Sequence, residues 1–318
     1  MDCILAVTYR CNSRCVMCHT WRHPSRKEDE ITAKDLETLP SLVRLNLTGG
    51  EPFLREDVSE ILHVLKRRAK RVVVSTNGFL TKRILRVMRE HPDVGVRVSI
   101  DGMGPLHDKI RGVGKAHTMA WATLFGLREL GIKDLGIAVT VSDENAGELV
   151  SLQRTAREYG VELATAIVHN AYYFHKEDNE IVDKSRVARG LKDLVDEYMA
   201  SHSPKDWFRA YFTAGMIDHV YCRQPEFKCT AATGSFFMDP YGDIRPCNVM
   251  DLPFGNIKKA TFEEIWQGPG ADGARRRVAT CDCNCWMICS VGHQMRRRFW
   301  VPLRWIARKR LAALAPRA

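Results

Sequence analysis

The sequence predicts an α/β fold, a partial, TIM-like (β/α)6 barrel followed by a small C-terminal domain. Three observations predict it. Six apolar runs of strand length alternate with helical patterns over the first 170 residues. The pattern changes near residue 222, where hairpin signals replace the strand–helix alternation. The eleven cysteines sit at the two ends, with none between Cys18 and Cys222.

The predicted strands are 4–7, 42–47, 71–75, 94–100, 135–141 and 163–168. Between them, 57–70 reads as a helix with Val58, Ile61, Leu62 and Leu65 on one face, and 81–90, 117–130 and 145–159 read the same way. Strands alternating with helices form parallel βαβ units, and right-handed crossovers curl them into a barrel or part of one. Sites in such barrels lie at the C-terminal ends of the strands. Two helices follow, 182–200 and 204–220. Strands 235–239 and 243–246 then flank Pro240-Tyr241-Gly242 as a hairpin, and a short helix, 261–267, ends at Gly268. This divides the chain into a barrel with linker helices (1–221), a cysteine-rich domain (222–290) and a basic amphipathic tail (291–318). The middle piece is too small to be stable without a staple, and its seven cysteines can supply one.

Hydrophobic content of 45% and charged content of 27% are ordinary for a globular protein. No run of eighteen apolar residues predicts a transmembrane helix, and the N-terminus carries no signal-peptide pattern, so a cytoplasmic protein is expected. An odd number of cysteines, clustered in a chain of this size, argues for metal binding over a disulfide framework. The net charge of +10 is uneven: residues 291–318 hold eight Arg/Lys and no acid, which leaves a body of about +2.

Cys11-x3-Cys15-x2-Cys18 follows the first strand in a short loop. Three thiolates this close can hold three corners of a cubic iron–sulfur cluster, and the fourth iron then stays open to a ligand. A zinc site is the alternative. The second strand ends in Gly49-Gly50-Glu51-Pro52, where glycines allow close backbone approach to a ligand. The third ends in Ser75-Thr76-Asn77-Gly78 and the fourth in Ser99-Ile100-Asp101-Gly102; Ile110-Arg111-Gly112 follows.

In this order and at these strand ends, the motifs of residues 1–170 resemble the radical S-adenosylmethionine (radical SAM) superfamily. The resemblance implies a [4Fe–4S] cluster on Cys11, Cys15 and Cys18, with SAM chelating the open iron. Gly49, Gly50 and Glu51 would contact the SAM amino group. Ser75, Asn77, Ser99 and Asp101 would line its pocket, Asp101 near the ribose, and Arg111 would meet the SAM carboxylate. Met17 stands where the family often has an aromatic residue. The implied chemistry is reductive cleavage of SAM to a 5′-deoxyadenosyl radical that abstracts a substrate hydrogen, with flavodoxin or ferredoxin as electron donor.

The C-terminal part resembles a SPASM or twitch auxiliary-cluster domain. Cys229-x12-Gly242-x4-Cys247 matches its first half, and Gly255-Asn256-Ile257 with Thr261–Trp266 matches the next segment. The second half departs, since the terminal run is Cys281-x-Cys283-x-Cys285-x3-Cys289 and no cysteine follows. One auxiliary [4Fe–4S] cluster is expected, on Cys229, Cys247, Cys285 and Cys289, with Cys222 competing and two clusters left open. Four thiolates would suit electron removal from a substrate radical; three would leave an iron free to bind substrate.

Residues 169–175, His-Asn-Ala-Tyr-Tyr-Phe-His, follow the sixth strand and either orient a polar substrate or pack on the linker helices. Thr140 and Ser142 are further candidates at the fifth strand end. The tail mixes arginines with Phe299, Trp300 and Trp305, and Pro302 suits a helix start. It either packs on the barrel or lies on the inner membrane face; nucleic acid is the least favoured partner. The expected enzyme abstracts hydrogen and leads to oxidation or rearrangement. A peptide-modifying maturase, a non-catalytic electron carrier and a zinc-stabilised binding module are the rivals. No N-terminal peptide-recognition domain is evident, which favours a small-molecule, sugar or lipid-linked substrate over a peptide.

Overall fold

The computed structural model describes residues 1–314; the last four residues of the predicted tail, 315–318, lie outside the described residues. Each predicted barrel strand forms, the fifth where it is expected and the others with bounds shifted by one or two residues: β1 (Asp2–Ala6), β2 (Arg44–Thr48), β3 (Val72–Thr76), β4 (Gly95–Ser99), β5 (Leu135–Val141) and β6 (Glu162–Ile167). All neighbours are parallel and follow chain order. β1 and β6 are not paired to each other, so the sheet is a partial (β/α)6 barrel.

The outer layer is α1 (Val58–Arg68), α2 (Thr81–Glu90), α3 (Pro105–Arg111), α4 (Ala116–Glu129) and α5 (Leu149–Glu158). The Val58, Ile61, Leu62 and Leu65 stripe is fully buried, as its spacing requires. α3 escaped the periodicity reading because seven residues make no apolar stripe; Pro105 opens it and Gly112, at φ 63°, closes it. The helix expected from 145 begins in a 3-10 turn, Ala146–Glu148. Asn145 is fully buried and its side chain ties Ser142, Thr140 and Asp101 together, which makes it a loop clamp. The linkers α6 (Lys184–Ala200) and α7 (Pro204–Val220) pack against one another.

The C-terminal hairpin joins the barrel sheet. β7 (Ser235–Met238) runs parallel to β1, from Asp2↔Ser235 to Leu5↔Met238, and β8 (Asp243–Arg245) and β9 (Gly255–Asn256) follow antiparallel. Phe236, Phe237 and Met238 are buried there. α8 (Phe262–Gln267) starts one residue later than predicted, because Thr261 caps it in a reciprocal box with Glu264. α9 (Pro269–Ala279), α10 (Ile288–Arg297) and α11 (Trp300–Leu314) complete the chain. Residue 291 falls inside α10. α11 packs on α7 through Trp305, 5.6 Å from the Tyr211 ring, and buried Ile306; Pro302 lies in its first turn. Among the described residues no helix is long and apolar enough to cross a membrane.

Candidate functional site

The cysteine loop is shaped by its neighbours. The Gly50 and Glu51 amides donate to the Thr8 and Arg10 carbonyls at 2.7 and 2.8 Å. The loop after β2 therefore lies flat against the loop after β1. A Cβ on Gly49 would stand 2.3 Å from the Thr8 oxygen, and one on Gly50 2.2 Å from the Arg10 oxygen. No side chain fits that approach. Replacing Gly50 by alanine is therefore expected to lower SAM affinity about tenfold or more, because the cluster loop must move. Equilibrium SAM binding with iron content measured in parallel checks it; wild-type values for both refute the argument.

The other flank of the loop is held by α3. The Arg14 and Val16 amides donate to the Arg111 and Ile110 carbonyls, each at 2.9 Å. Arg111 Nη1 lies 3.6 Å from Cys15 Sγ, and its Nε lies 2.6 Å from Asp101 Oδ2. Burial works against the Arg111 charge, but Asp101 and then Cys15 outweigh it and hold its pKa above the ordinary value. Asp101 is fully buried and accepts from the Thr140 amide at 2.8 Å, while its own amide donates to His107 Nδ1 at 3.0 Å. Burial keeps His107 neutral, with a pKa pushed down to about 3.

Glu51 is also fully buried. It accepts from the amides of Phe53 and Asn77 and from the Thr76 hydroxyl. Burial pushes its pKa up to about 7 despite these bonds. Neither carboxylate borders the site cavity: Glu51 and Asp101 hold the loops that do.

That cavity has a volume of about 290 Å³ and lies at the carboxyl ends of the strands. Cys11, Cys15, Cys18, Gly49, Gly50, Ser75, Asn77, Ser99 and Arg111 all border it. Asn77 additionally donates to Asn12 at 2.7 Å. His169, Tyr173 and Thr140 also line the cavity, and Ser142 does not. The 169–175 loop packs on the cysteine loop: the His19 amide donates to the Phe174 carbonyl and the Thr20 hydroxyl to that of Tyr173, both at 2.8 Å. Trp21, Asn248 and Trp286–Ile288 border the cavity without a signal in the sequence, since apolar and amide groups in loops have no spacing of their own.

A second cavity, of about 50 Å³, adjoins the first and shares Ile4, Asn248 and Cys289 with it. Cys229, Cys247, Cys285 and Cys289 border it, and so do Cys281 and Cys283. Cys222 is exposed and does not. The terminal run is anchored by Trp286, whose Nε1 donates to the Phe212 carbonyl at 2.7 Å, against a face of α7 that Gly215 leaves open.

The donor set fits iron–sulfur clusters. Burial pushes the Cys11 and Cys289 thiols up to about 12 and Cys247 to about 11. A bare thiolate in these cavities is costly; a cationic iron centre would take the place of its proton. Among the described residues no three His, Cys, Asp or Glu side chains close around a single ion position.

Comparison with known families decides between the remaining readings. Residues 5–156 match the radical SAM superfamily, and residues 229–287 match the SPASM iron–sulfur cluster-binding domain. The chain belongs to the radical SAM superfamily. It is a radical SAM enzyme with a C-terminal SPASM domain, and its cofactors are SAM and [4Fe–4S] clusters. It is 27% identical to the pre-heme d1 synthase of Dinoroseobacter shibae, over 83% of this chain and 72% of that one. It is 26% identical to the antilisterial bacteriocin subtilosin biosynthesis protein AlbA of Bacillus subtilis, over 83% of this chain and 58% of that one. The fold is shared with native anSMEcpe carrying bound AdoMet and the Kp18Cys peptide: TM-score 0.66, 15% identity, 96% of this chain and 99% of that one.

These similarities correct one expectation. A small-molecule, sugar or lipid-linked substrate in preference to a peptide rested on the lack of an evident N-terminal recognition domain. The anSMEcpe structure holds a peptide on an architecture of nearly the same extent. AlbA, moreover, serves the biosynthesis of a bacteriocin. Peptide binding by this fold needs no additional domain, and a small molecule is not favoured over a peptide.

Proposed function

We propose that this radical SAM enzyme abstracts a hydrogen atom from a peptide segment and oxidises it, with the SPASM cluster accepting the second electron. One observation carries the reading: a single cavity is bordered by Cys11, Cys15 and Cys18 on one side and by Cys289 on the other. When bound, the cluster and SAM supply one-electron hydrogen-abstraction chemistry. The chain's own residues would then orient and enclose. Gly49 and Gly50 would admit the SAM amino group to bare backbone, and Ser75, Asn77 and Ser99 would offer polar contacts. Arg111, braced by Asp101, would offer a cation to the SAM carboxylate. Met17, Trp21 and Trp286 would exclude water from a reactive carbon radical. Cys229, Cys247, Cys285 and Cys289 would hold the auxiliary cluster, whose proximity to the cavity would give the substrate electron a short exit. The test is anaerobic turnover of the reconstituted enzyme with SAM, reductant and a peptide pool. Expected are 5′-deoxyadenosine and a peptide lighter by two hydrogens. Deoxyadenosine without any altered peptide would sink the peptide reading and leave the radical SAM assignment standing.

We also propose that α11 contacts an anionic membrane surface. Phe299 (54% exposed), Trp300 (51%) and Leu303 (43%) project beside Arg297, Arg298 and Arg304. Aromatic groups flanked by arginines and free of acids suit a lipid headgroup layer. Co-sedimentation with vesicles rich in phosphatidylglycerol is expected, and Phe299→Ser with Trp300→Ser should weaken it at least tenfold. Equal pelleting with neutral vesicles, or no effect of the substitutions, would contradict this.

A further inference from the structure

We infer that the floor of the barrel is an oxyanion site, built on Arg44, that seats an anionic group of the substrate. In a closed α/β barrel the interior is filled by layers of bulky side chains. Here five of the lining positions, Ser75, Ser99, Ala138, Ala164 and Ala166, are small beside larger ones such as Ile4 and Val73, and a cavity of about 300 Å³ remains. It shares Asn46, Ser75, Ser99 and Thr140 with the cysteine-bordered cavity and runs down to Arg44, Arg71, Arg97 and Asp2 at the opposite end.

The charges on that floor do not balance. Arg71 and Arg97 pair with Asp134 at 2.7 and 2.8 Å, and Arg97 also reaches Glu162 at 3.0 Å. Glu162 is shared further with Arg209 and Lys205, and Arg209 also pairs with Asp206. Asp2 pairs with Arg296 from α10. Six cations thus face four carboxylates, and among the described residues the Arg44 side chain has no ion-pair or hydrogen-bond partner. Burial, then the neighbouring Arg71 and Arg296, lower its pKa to about 10. A half-buried guanidinium repelled by its neighbours and open to a cavity is poised for a planar oxyanion, carboxylate or phosphate. The register places Arg44 beside Asp2 and four residues before Thr48, so the anion would sit about 13 Å below the end of β2. A substrate spanning both levels needs its anionic group on the order of 13 Å from the carbon that reacts.

The inference deepens the peptide reading, in which the anion is an acidic side chain, but the floor site itself does not depend on it. The test uses the reconstituted enzyme under anaerobic conditions, titrated with inorganic phosphate or a blocked glutamate tripeptide while thermal unfolding is followed. Both probes are expected to raise the melting temperature, and Arg44→Gln should weaken the phosphate midpoint about tenfold or more. An unchanged midpoint in Arg44→Gln overturns the site. Phosphate is also expected to protect Arg44 of the wild type from phenylglyoxal, read by peptide mass mapping. Unprotected Arg44 overturns the inference even if the variant fails to fold. A response to phosphate with none to the tripeptide upholds the floor site and counts against the peptide substrate.

Discussion

Replacing Cys11, Cys15 and Cys18 together by alanine abolishes 5′-deoxyadenosine formation and leaves about four irons per chain. The three thiols share one loop, and their surroundings serve it closely: Ser13 Oγ lies 3.0 Å from Cys15 Sγ and Thr20 Oγ1 lies 3.1 Å from Cys18 Sγ. No other cysteine borders that end of the cavity, while the six that ring the second cavity are untouched by the substitution. Iron and sulfide analysis of the reconstituted variant, with deoxyadenosine measured in parallel, checks both halves. Iron near zero would mean that the C-terminal cysteines hold no independent cluster. Surviving deoxyadenosine would remove the N-terminal trio from the chemistry.

Asp101→Ala is expected to destabilise the protein by about 3–5 kcal/mol, because it leaves the Arg111 charge buried without its partner. The Arg111 side chain is 11% exposed and Asp101 is fully buried. The substitution also strips the acceptor from the Thr140 amide. The pair links the ends of β4 and β5 to the cysteine loop, so the loss should reach the cluster as well as the fold. Urea unfolding of the reconstituted protein measures the cost. Asp101→Leu combined with Arg111→Met should cost less than Asp101→Ala alone, since both charges leave together. A double variant as unstable as the sum of its parts would show that the pair does not act as a unit.

Local patterning made most of the fold legible. The 135–141 strand and the 81–90 and 204–220 helices match residue for residue, the last with Pro204 at its first turn. Short elements were not legible: α3 has too few residues to show a face, and Asn145 ends a loop through tertiary hydrogen bonds that no spacing reveals. Among the site residues, Cys11, Cys15 and Cys18 were legible because three thiols at such short intervals suggest a metal to hold; Gly49 and Gly50 alone read as an ordinary strand-to-helix turn, and only the family resemblance marked them. Glu51 and Asp101 were marked by the same resemblance, yet their carboxylates do not border the cavity and are taken up in hydrogen bonds with neighbouring loops.

The sequence alone determined the order of strands and helices, the two groups of thiols and the basic character of the last helix, for these depend on periodicity, spacing and composition along the chain. Only the tertiary structure decided that the hairpin extends the barrel sheet through β1, that Cys281 and Cys283 join four other thiols while Cys222 does not, and that Arg44 is left unpaired at the barrel floor. Each of those is a matter of which side chains meet between segments that are apart in the chain, and pairing of that kind is settled by packing and charge balance in three dimensions.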